Sequence, residues 1–157
     1  MPTITPNLWF DTQGEEAAQF YVSVFPNSSI TNVSYYGEAG PGVAGTVLTV
    51  DFVLDGQAYT AINGGPLFTF DEAISLLINC ADQEEIDYYW SKLTEGGEES
   101  QCGWLKDKYG LSWQVVPADY HALMNDPDRA RVDRAMKAVL GMKKLDIAAI
   151  NAAADGD

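Results

Sequence analysis

The chain has 157 residues, of which 46% are hydrophobic and 20% are charged, so we expect a single domain, residues 1–157, with one core. No apolar run is long enough to cross a bilayer, and the first residues, MPTITPNLWF, lack the basic and apolar regions of a signal peptide, which predicts a cytoplasmic protein. The formal net charge is −14, and no Lys or Arg occurs before Lys92; such a field repels phosphates and argues against nucleic-acid and membrane partners.

The first half of the chain predicts the order β-α-β-β-β. A helix at 14–25 is indicated because Ala17, Phe20, Tyr21 and Val24 share one helical face. The Asp55-Gly56 pair is a hairpin signal between the last two strands. The strands are predicted at residues 4–11, 28–36, 46–54 and 57–62.

The same order then repeats. When the chain is aligned with itself so that Glu15-Glu16 falls on Glu84-Glu85, the first helix matches a second one predicted at 83–95. The hairpins match as well, with Tyr59 and Thr60 of the first on Trp113 and Gln114 of the second. The strands of the second half are predicted at residues 73–80, 98–105 and 111–117. Two copies of one unit predict a paired fold.

We therefore predict an α+β fold with two βαβββ modules, residues 1–66 and 67–118, followed by a C-terminal helical extension at 119–157. In the extension, Asp126-Pro127 is typical of a helix start, and Gly141 is expected to end that helix. A last helix is predicted at 144–154. The helix at 127–140 has an apolar stripe formed by Val132, Met136, Val139 and Leu140. This extension is interpreted as a cover for the acidic modules, as a dimer contact, or as a helix that fills a groove.

These residues resemble the PhnB-like branch of the vicinal-oxygen-chelate superfamily, which contains glyoxalases, bleomycin-resistance proteins and extradiol dioxygenases. The resemblance covers nearly the whole chain and rests on four pieces: LWFD…EEAAQFY at the start, INGGP at 62–66, the segment 82–99, and the turn Asp107-x-Tyr109-Gly110-x-x-Trp113. Members of this branch often carry the label 3-demethylubiquinone-9 3-methyltransferase. No strand here is followed by the Gly-rich loop that S-adenosylmethionine binding ordinarily needs, which argues against that activity.

The resemblance also implies a divalent metal, held by His and Glu side chains on the first and last strands of each module. The corresponding strands of this chain offer Asn7, Asp11, Thr60, Asn63, Ser75, Asn79, Ser112 and Gln114. Neutral amide and hydroxyl oxygens are weak ligands for zinc, nickel or iron, so we predict no metal and no cofactor. The only histidine, His121, lies outside these strands and cannot form a metal site or a catalytic triad alone.

The two cysteines, Cys80 and Cys102, do not form a disulfide framework and are predicted to be buried thiols. Cys102 is the one candidate nucleophile, although no neighbour in sequence is expected to activate it. The paired glutamates Glu15-Glu16 and Glu84-Glu85 lie in first helical turns, where they favour the helix dipole, so we do not interpret them as a catalytic dyad.

The remaining prediction is a small-molecule pocket. Its predicted ligand-binding residues are Asn7, Trp9, Thr60, Asn63, Trp104 and Gln114, and its further lining residues are Tyr59, Phe70 and Trp113. This mixture suits a small, partly apolar ligand without strong negative charge. Two functions stay open: a metal-free binding protein, as bleomycin-resistance proteins are, or an enzyme (lyase, isomerase or dioxygenase-like) with a divergent site. The relatives commonly pair their modules across subunits, which implies a homodimer.

Overall fold

A computed structural model describes all 157 residues, which divide into two compact units, Met1–Phe70 and Asp71–Asp157. Each unit contains a four-stranded sheet with the element order β-α-β-β-β, and three helices follow the second sheet. The predicted α+β fold of two βαβββ modules with C-terminal helices is therefore confirmed. None of its helices has both the length and the apolar character needed to cross a membrane.

The first unit is built from strands β1 (Asn7–Phe10), β2 (Ser29–Tyr35), β3 (Val47–Leu54) and β4 (Gln57–Asn63) and helix α1 (Gly14–Val24). The strands lie in the order β1-β4-β3-β2, with β1 parallel to β4 and the other pairs antiparallel. The turn between β3 and β4 uses Asp55 and Gly56 at φ of 45° and 89°, as the hairpin signal predicts.

Side chains alternate between the two faces of the first sheet. The face toward α1 is buried and apolar; it includes Val50, Phe52 and Ala61, and Phe52 stacks on Tyr21 of the helix at 6.2 Å. The opposite face is largely polar. This polar face of the first sheet carries Asn7, Trp9, Ser34, Thr49, Asp51, Thr60 and Ile62.

The second unit repeats this arrangement with β5 (Ser75–Cys80), α2 (Gln83–Thr94), β6 (Glu98–Glu99), β7 (Trp104–Lys106) and β8 (Ser112–Pro117). The strand order β5-β8-β7-β6 is equivalent to that of the first sheet. Helix α2 begins where the alignment of the chain with itself predicts, and the Asp82 side chain caps it by accepting a hydrogen bond from the Glu85 amide at 2.9 Å. The polar face of the second sheet carries Ser75, Trp104, Lys106, Ser112 and Gln114.

The hairpin between β7 and β8 is held by one buried carboxylate. Asp107 is 3% exposed and accepts hydrogen bonds from the amides of Tyr109 (2.9 Å) and Leu111 (3.1 Å) and from Nε1 of Trp113 (2.9 Å). Gly110 has a φ of 87°, which explains why glycine occupies this position of the turn. The Asp107 to Trp113 motif is therefore a structural device.

The C-terminal extension forms helices α3 (Tyr120–Met124), α4 (Arg129–Leu140) and α5 (Ile147–Asp155). Their buried apolar residues pack with Val116 of β8 in a small cluster that includes Ala135, Val139, Leu145 and Ile150. Gln83 at the start of α2 anchors this cluster, because it donates to the Leu145 carbonyl (3.0 Å) and accepts from the Ile147 amide (2.9 Å).

Three details differ from the sequence prediction. The stretch 98–105 is not one strand but two, because a turn at Cys102 (φ 60°) and Gly103 (φ 85°) separates β6 from β7. Helix α4 is capped by Asp128, which accepts from the Arg131 amide, and not at Asp126-Pro127. The short helix α3 is not among the predicted helices, and it packs Tyr120, Leu123 and Met124 against the C-terminal cluster.

Candidate functional site

Three of the predicted ligand-binding residues share the polar face of the first sheet. Asn7 of β1 lies opposite Thr60 of β4, and Trp9 lies opposite Ile62. The Thr60 hydroxyl donates a 2.7 Å hydrogen bond to Oδ1 of Asp51 in β3. The structure therefore brings Asn7, Trp9 and Thr60 together on one surface and adds a carboxylate to them.

Asp51 is a further candidate for the site, and the sequence prediction does not include it. It lies between Val50 and Phe52, both of which are buried on the α1 side, so alternation along β3 turns its side chain to the polar face. The signal was present in the run VLTVDFVL, where the even-numbered positions are all apolar. A carboxylate in the middle of such a strand is a polar-face residue by this pattern.

Trp9 is fixed by contacts with the loop after β4. Its Nε1 donates to the Gly65 carbonyl at 2.9 Å, and its ring lies edge-on to Phe68 at 5.0 Å. A Cβ atom on Gly64 would lie 2.3 Å from the indole, so only glycine fits against this ring. The INGGP segment therefore positions an aromatic side chain beside the polar face of the first sheet.

Asn63 lies on the other side of β4 and has a different role. Its Oδ1 accepts a 2.7 Å hydrogen bond from the Gly14 amide, and its Nδ2 donates to the Val47 carbonyl at 3.2 Å. The side chain is 8% exposed. Asn63 thus satisfies a free amide at the N-terminus of α1 and does not join Thr60 on the polar face.

The two predicted site residues of the second unit, Trp104 and Gln114, are neighbours across β7 and β8 on its polar face. Nε2 of Gln114 donates to Oγ of Ser75 in β5 at 2.9 Å. Thr60 and Gln114 therefore occupy equivalent positions in the two hairpins, and each is hydrogen-bonded to one polar side chain of a neighbouring strand, Asp51 or Ser75.

A small cavity of about 130 Å³ lies at one end of this polar face and is lined by Trp104, Lys106 and Ser112. Lys106 forms an ion pair with Glu72, which lowers the pKa of the Glu72 carboxyl through the hydrogen bond from the lysine. The Ser112 hydroxyl is buried and has no protein partner. A buried hydroxyl in this position can accept or donate one further hydrogen bond.

Two aromatic residues that we expected to line the pocket lie on the helix side of their sheets. Tyr59 stacks on Phe52 with ring centroids 5.5 Å apart, and Trp113 is 2% exposed and bonded to Asp107. Phe70 meets Phe10, which also belongs to the helix side, at 5.2 Å. Tyr59 and Trp113 therefore point to the face opposite to that of the next residues along the chain, Thr60 and Gln114.

The candidate metal ligands and candidate nucleophiles do not form a metal site. Nowhere in the chain do three or more His, Cys, Asp or Glu side chains form a group able to hold a metal ion. His121 lies in the short helix α3. Cys80 is fully buried, and this burial, reinforced by the nearby carboxylates Glu85 and Asp82, raises the pKa of its thiol to about 12. Cys102 is half-buried in the turn before β7.

Comparison with solved structures shows the same fold in other proteins. A PhnB protein from Bacillus cereus is 40% identical to this chain, covers 73% of it and 99% of itself, and superposes with a TM-score of 0.67. A protein from Pseudomonas aeruginosa is 19% identical, with coverages of 74% and 98% and a TM-score of 0.62. A Listeria monocytogenes fosfomycin resistance protein, complexed with Mn(II) and sulfate, is 14% identical, with coverages of 78% and 94% and a TM-score of 0.53.

At the level of sequence, residues 2–116 match the profile of the family described as 3-demethylubiquinone-9 3-methyltransferase. No protein with a curated description matches the chain. The profile ends within β8, so α3, α4 and α5 lie outside the matched region. The chain therefore belongs to the 3-demethylubiquinone-9 3-methyltransferase-like family, the PhnB-like branch of the vicinal-oxygen-chelate superfamily.

Proposed function

We propose that this protein binds a small neutral or weakly polar molecule on the polar faces of its sheets, without a metal. The observation that carries the proposal is the pair of polar side chains at equivalent positions, Thr60 and Gln114, each held by a neighbouring strand, by Asp51 of β3 and by Ser75 of β5. Hydroxyl and amide groups held in this way can hydrogen-bond a ligand, and Trp9 and Trp104 add aromatic surface beside them. Asn63 contributes indirectly, by fixing the start of α1.

The chemistry of these groups supports binding without a metal. A divalent transition metal needs imidazole, thiolate or carboxylate ligands to offset its desolvation. Asp51 is the one carboxylate on the polar face of the first sheet, and its Oδ1 is already hydrogen-bonded by Thr60. The nearest neighbours of Gln114 across the sheet are Leu77 and Trp104, which offer no ligand atom.

The metal-free proposal is tested on protein purified without an affinity tag. We expect less than a tenth of a metal equivalent per chain by elemental analysis, and about the same melting temperature with and without EDTA or added zinc, nickel, manganese or iron. One retained equivalent of metal, or a clear loss of stability in EDTA, would contradict the proposal. It would then favour the alternative of a lyase, isomerase or dioxygenase-like enzyme with a divergent site.

The ligand contact is tested with the Gln114→Ala variant. Loss of one buried, unreplaced hydrogen bond is expected to weaken binding by about 1–3 kcal/mol, or about 5- to 150-fold, for a hit from a thermal-shift screen of neutral aromatic compounds. Gln57→Ala is the matched control, because Gln57 is an exposed amide at the start of β4. Equal effects of the two variants would remove Gln114 from the site.

The methyltransferase description of the matched family is a second candidate. Helix α1 follows β1 after only Asp11, Thr12 and Gln13, and its first amide is occupied by Asn63, so a phosphate- or nucleotide-binding loop is absent from this turn. We expect no saturable binding of S-adenosylmethionine by calorimetry. Micromolar binding of S-adenosylmethionine would instead favour the methyltransferase activity over metal-free binding of a small molecule.

We also propose a homodimer. The apolar stripe of α4 is only partly used inside the chain, since Val132 and Val139 are buried whereas Met136 and Leu140 are 37% and 62% exposed. Sedimentation at micromolar concentration should give about twice 17.1 kDa. Leu140→Lys is expected to favour the monomer, and a monomeric wild-type profile would refute the proposal.

A further inference from the structure

A cavity of the first unit is lined by residues other than those named on its polar face. It has a volume of about 630 Å³ and lies where the ends of β1 and β4 meet the start of α1 and the loop 37–46. Its volume is within the range of small-molecule pockets. We propose that this cavity binds a small organic cation, an amine with an apolar body.

The wall of the cavity is formed by Tyr36 and the loop that follows it. The Tyr36 hydroxyl donates to the carbonyl of Asn63, and its backbone is bonded to Thr46 and Gly45 at 2.8 Å each, which closes the loop. Gly40 and Gly42 lie against the ring so closely that a Cβ atom would be 2.8 or 2.4 Å from it. The loop is therefore built around this aromatic side chain.

The lining combines this ring with apolar and acidic groups. Pro41, Val43 and Val47 provide apolar surface, and Asp11, Glu15 and Glu16 provide three carboxylates. None of these carboxylates forms an ion pair; all five ion pairs of the protein involve residues after position 71. Because residues 1–70 contain no Lys, Arg or His, no side chain of this unit can neutralise them.

The N-terminus of α1 opposes the binding of a cation in this cavity but does not outweigh the carboxylates. A helix N-terminus corresponds to roughly half a positive charge and by itself attracts anions. Three carboxylates bring up to three negative charges to the same cavity, and the first amide of the helix, that of Gly14, is already bonded to Asn63. The net field therefore favours a cation, and the Tyr36 ring adds aromatic surface to the wall of the cavity.

The probes are three compounds of one size and different charge: 2-phenylethylammonium, 2-phenylethanol and phenylacetate. Calorimetry and amide chemical shifts on the full chain should show saturable binding of the ammonium compound, about tenfold or more tighter than the alcohol, and no binding of phenylacetate. The shifted amides should include Gly42, Gly64 and Gly65, which line the cavity.

The chain supplies a matched control for the charge. Glu15 lines this cavity, and Glu84, its counterpart in the second copy of the repeat, lines a separate pocket at the first turn of α2. Binding to the cavity of the first unit is therefore followed through the amide shifts of Gly42, Gly64 and Gly65. Both substitutions, Glu15→Gln and Glu84→Gln, remove a similar helix-dipole interaction and are expected to lower stability equally. Only Glu15→Gln should weaken the ammonium binding that is measured at Gly42, Gly64 and Gly65, by about fivefold or more.

Any one of several results would overturn this proposal: no saturable binding of 2-phenylethylammonium at about 10 mM, equal affinity for the alcohol, or equal losses at Gly42, Gly64 and Gly65 in Glu15→Gln and Glu84→Gln. Shifts confined to Asn7, Thr60 and their neighbours would also overturn it, because the cation would then occupy the polar face of the first sheet. Thr60→Val should leave ammonium binding unchanged. Thr60 belongs to the polar face of the proposed function and not to the cavity, so ammonium binding by this variant tests the cavity independently of the proposed function.

Discussion

Asp107 is the residue whose replacement tests the hairpin of the second unit most directly. Its buried carboxylate accepts two backbone amide bonds and one bond from the Trp113 indole. Asn is nearly isosteric and keeps a carbonyl oxygen for the amides of Tyr109 and Leu111. It also places an NH₂ group against Nε1 of Trp113, so two donors face each other in a buried site.

The magnitude follows from these bonds. A hydrogen bond to a charged group contributes about 1.5–3 kcal/mol, and an unsatisfied buried donor costs about 1–3 kcal/mol. Asp107→Asn loses one bond and the charge, so we expect a destabilisation of about 1–3 kcal/mol. Asp107→Ala loses all three bonds and leaves a small void, and we expect about 3–5 kcal/mol.

The assay is urea unfolding followed by tryptophan fluorescence. With a slope of about 2 kcal/mol per M, the midpoint should fall by about 0.5–1.5 M for Asp107→Asn and by more for Asp107→Ala. Asp55→Asn is the control, because Asp55 occupies the exposed turn of the first hairpin at a φ of 45°, which asparagine adopts readily. Its midpoint should not move. If Asp107→Asn and Asp55→Asn gave the same midpoint, the three bonds would not be stabilising the hairpin.

Three further changes have defined outcomes. Gly64→Ala should destabilise by about 1–3 kcal/mol, because its Cβ would overlap the Trp9 ring, whereas Gly37→Ala, with nothing within 4 Å, should be nearly neutral in thermal unfolding. Burial raises the pKa of the Cys80 thiol from 9.0 to about 12, so the thiol of the unfolded chain ionises at a lower pH than that of the folded chain. The free energy of unfolding should therefore fall as the pH rises above about 9. Cys80→Ala should flatten this pH dependence, which urea titrations at several pH values would measure. Gln83→Ala removes the side-chain bonds to the 145–147 segment, so limited proteolysis should cleave α5 faster than in the wild type.

The sequence predicts the elements of this fold well because the signals are local. The apolar faces of α1 and α2 and the Asp55-Gly56 turn depend on residue spacing, and the structure places both helices within one residue of the predicted bounds. The break at Cys102 and Gly103 could not be read in the same way. It depends on a left-handed turn whose amides are bonded by the Met142 and Lys143 carbonyls, which belong to the distant C-terminal extension.

The candidate site is less predictable, because one residue of register decides which face a side chain occupies. The sequence prediction places Thr60 and Gln114 in one ligand pocket with Tyr59 and Trp113, yet neighbours in a strand cannot share a face. The aromatic member of each pair lies on the helix side, where Trp113 is buried and Tyr59 is half-buried against Phe52. Burial of the large apolar side chain is the stronger term, so the polar member is left on the polar face.

The uneven charge of the chain has a structural counterpart that sequence alone did not show. Within the second unit, four basic residues pair with acidic neighbours, in the pairs Lys106–Glu72, Arg131–Asp126, Arg131–Asp155, Lys143–Glu99 and Lys144–Asp87. The second unit therefore neutralises part of its own charge, and the first unit keeps six uncompensated carboxylates in residues 1–70. Solubility explains carboxylates scattered over a surface. Two of the three carboxylates in the cavity, Glu15 and Glu16, also favour the dipole of α1. Together with Asp11 and the Tyr36 ring they form the lining that the proposed cationic ligand would contact.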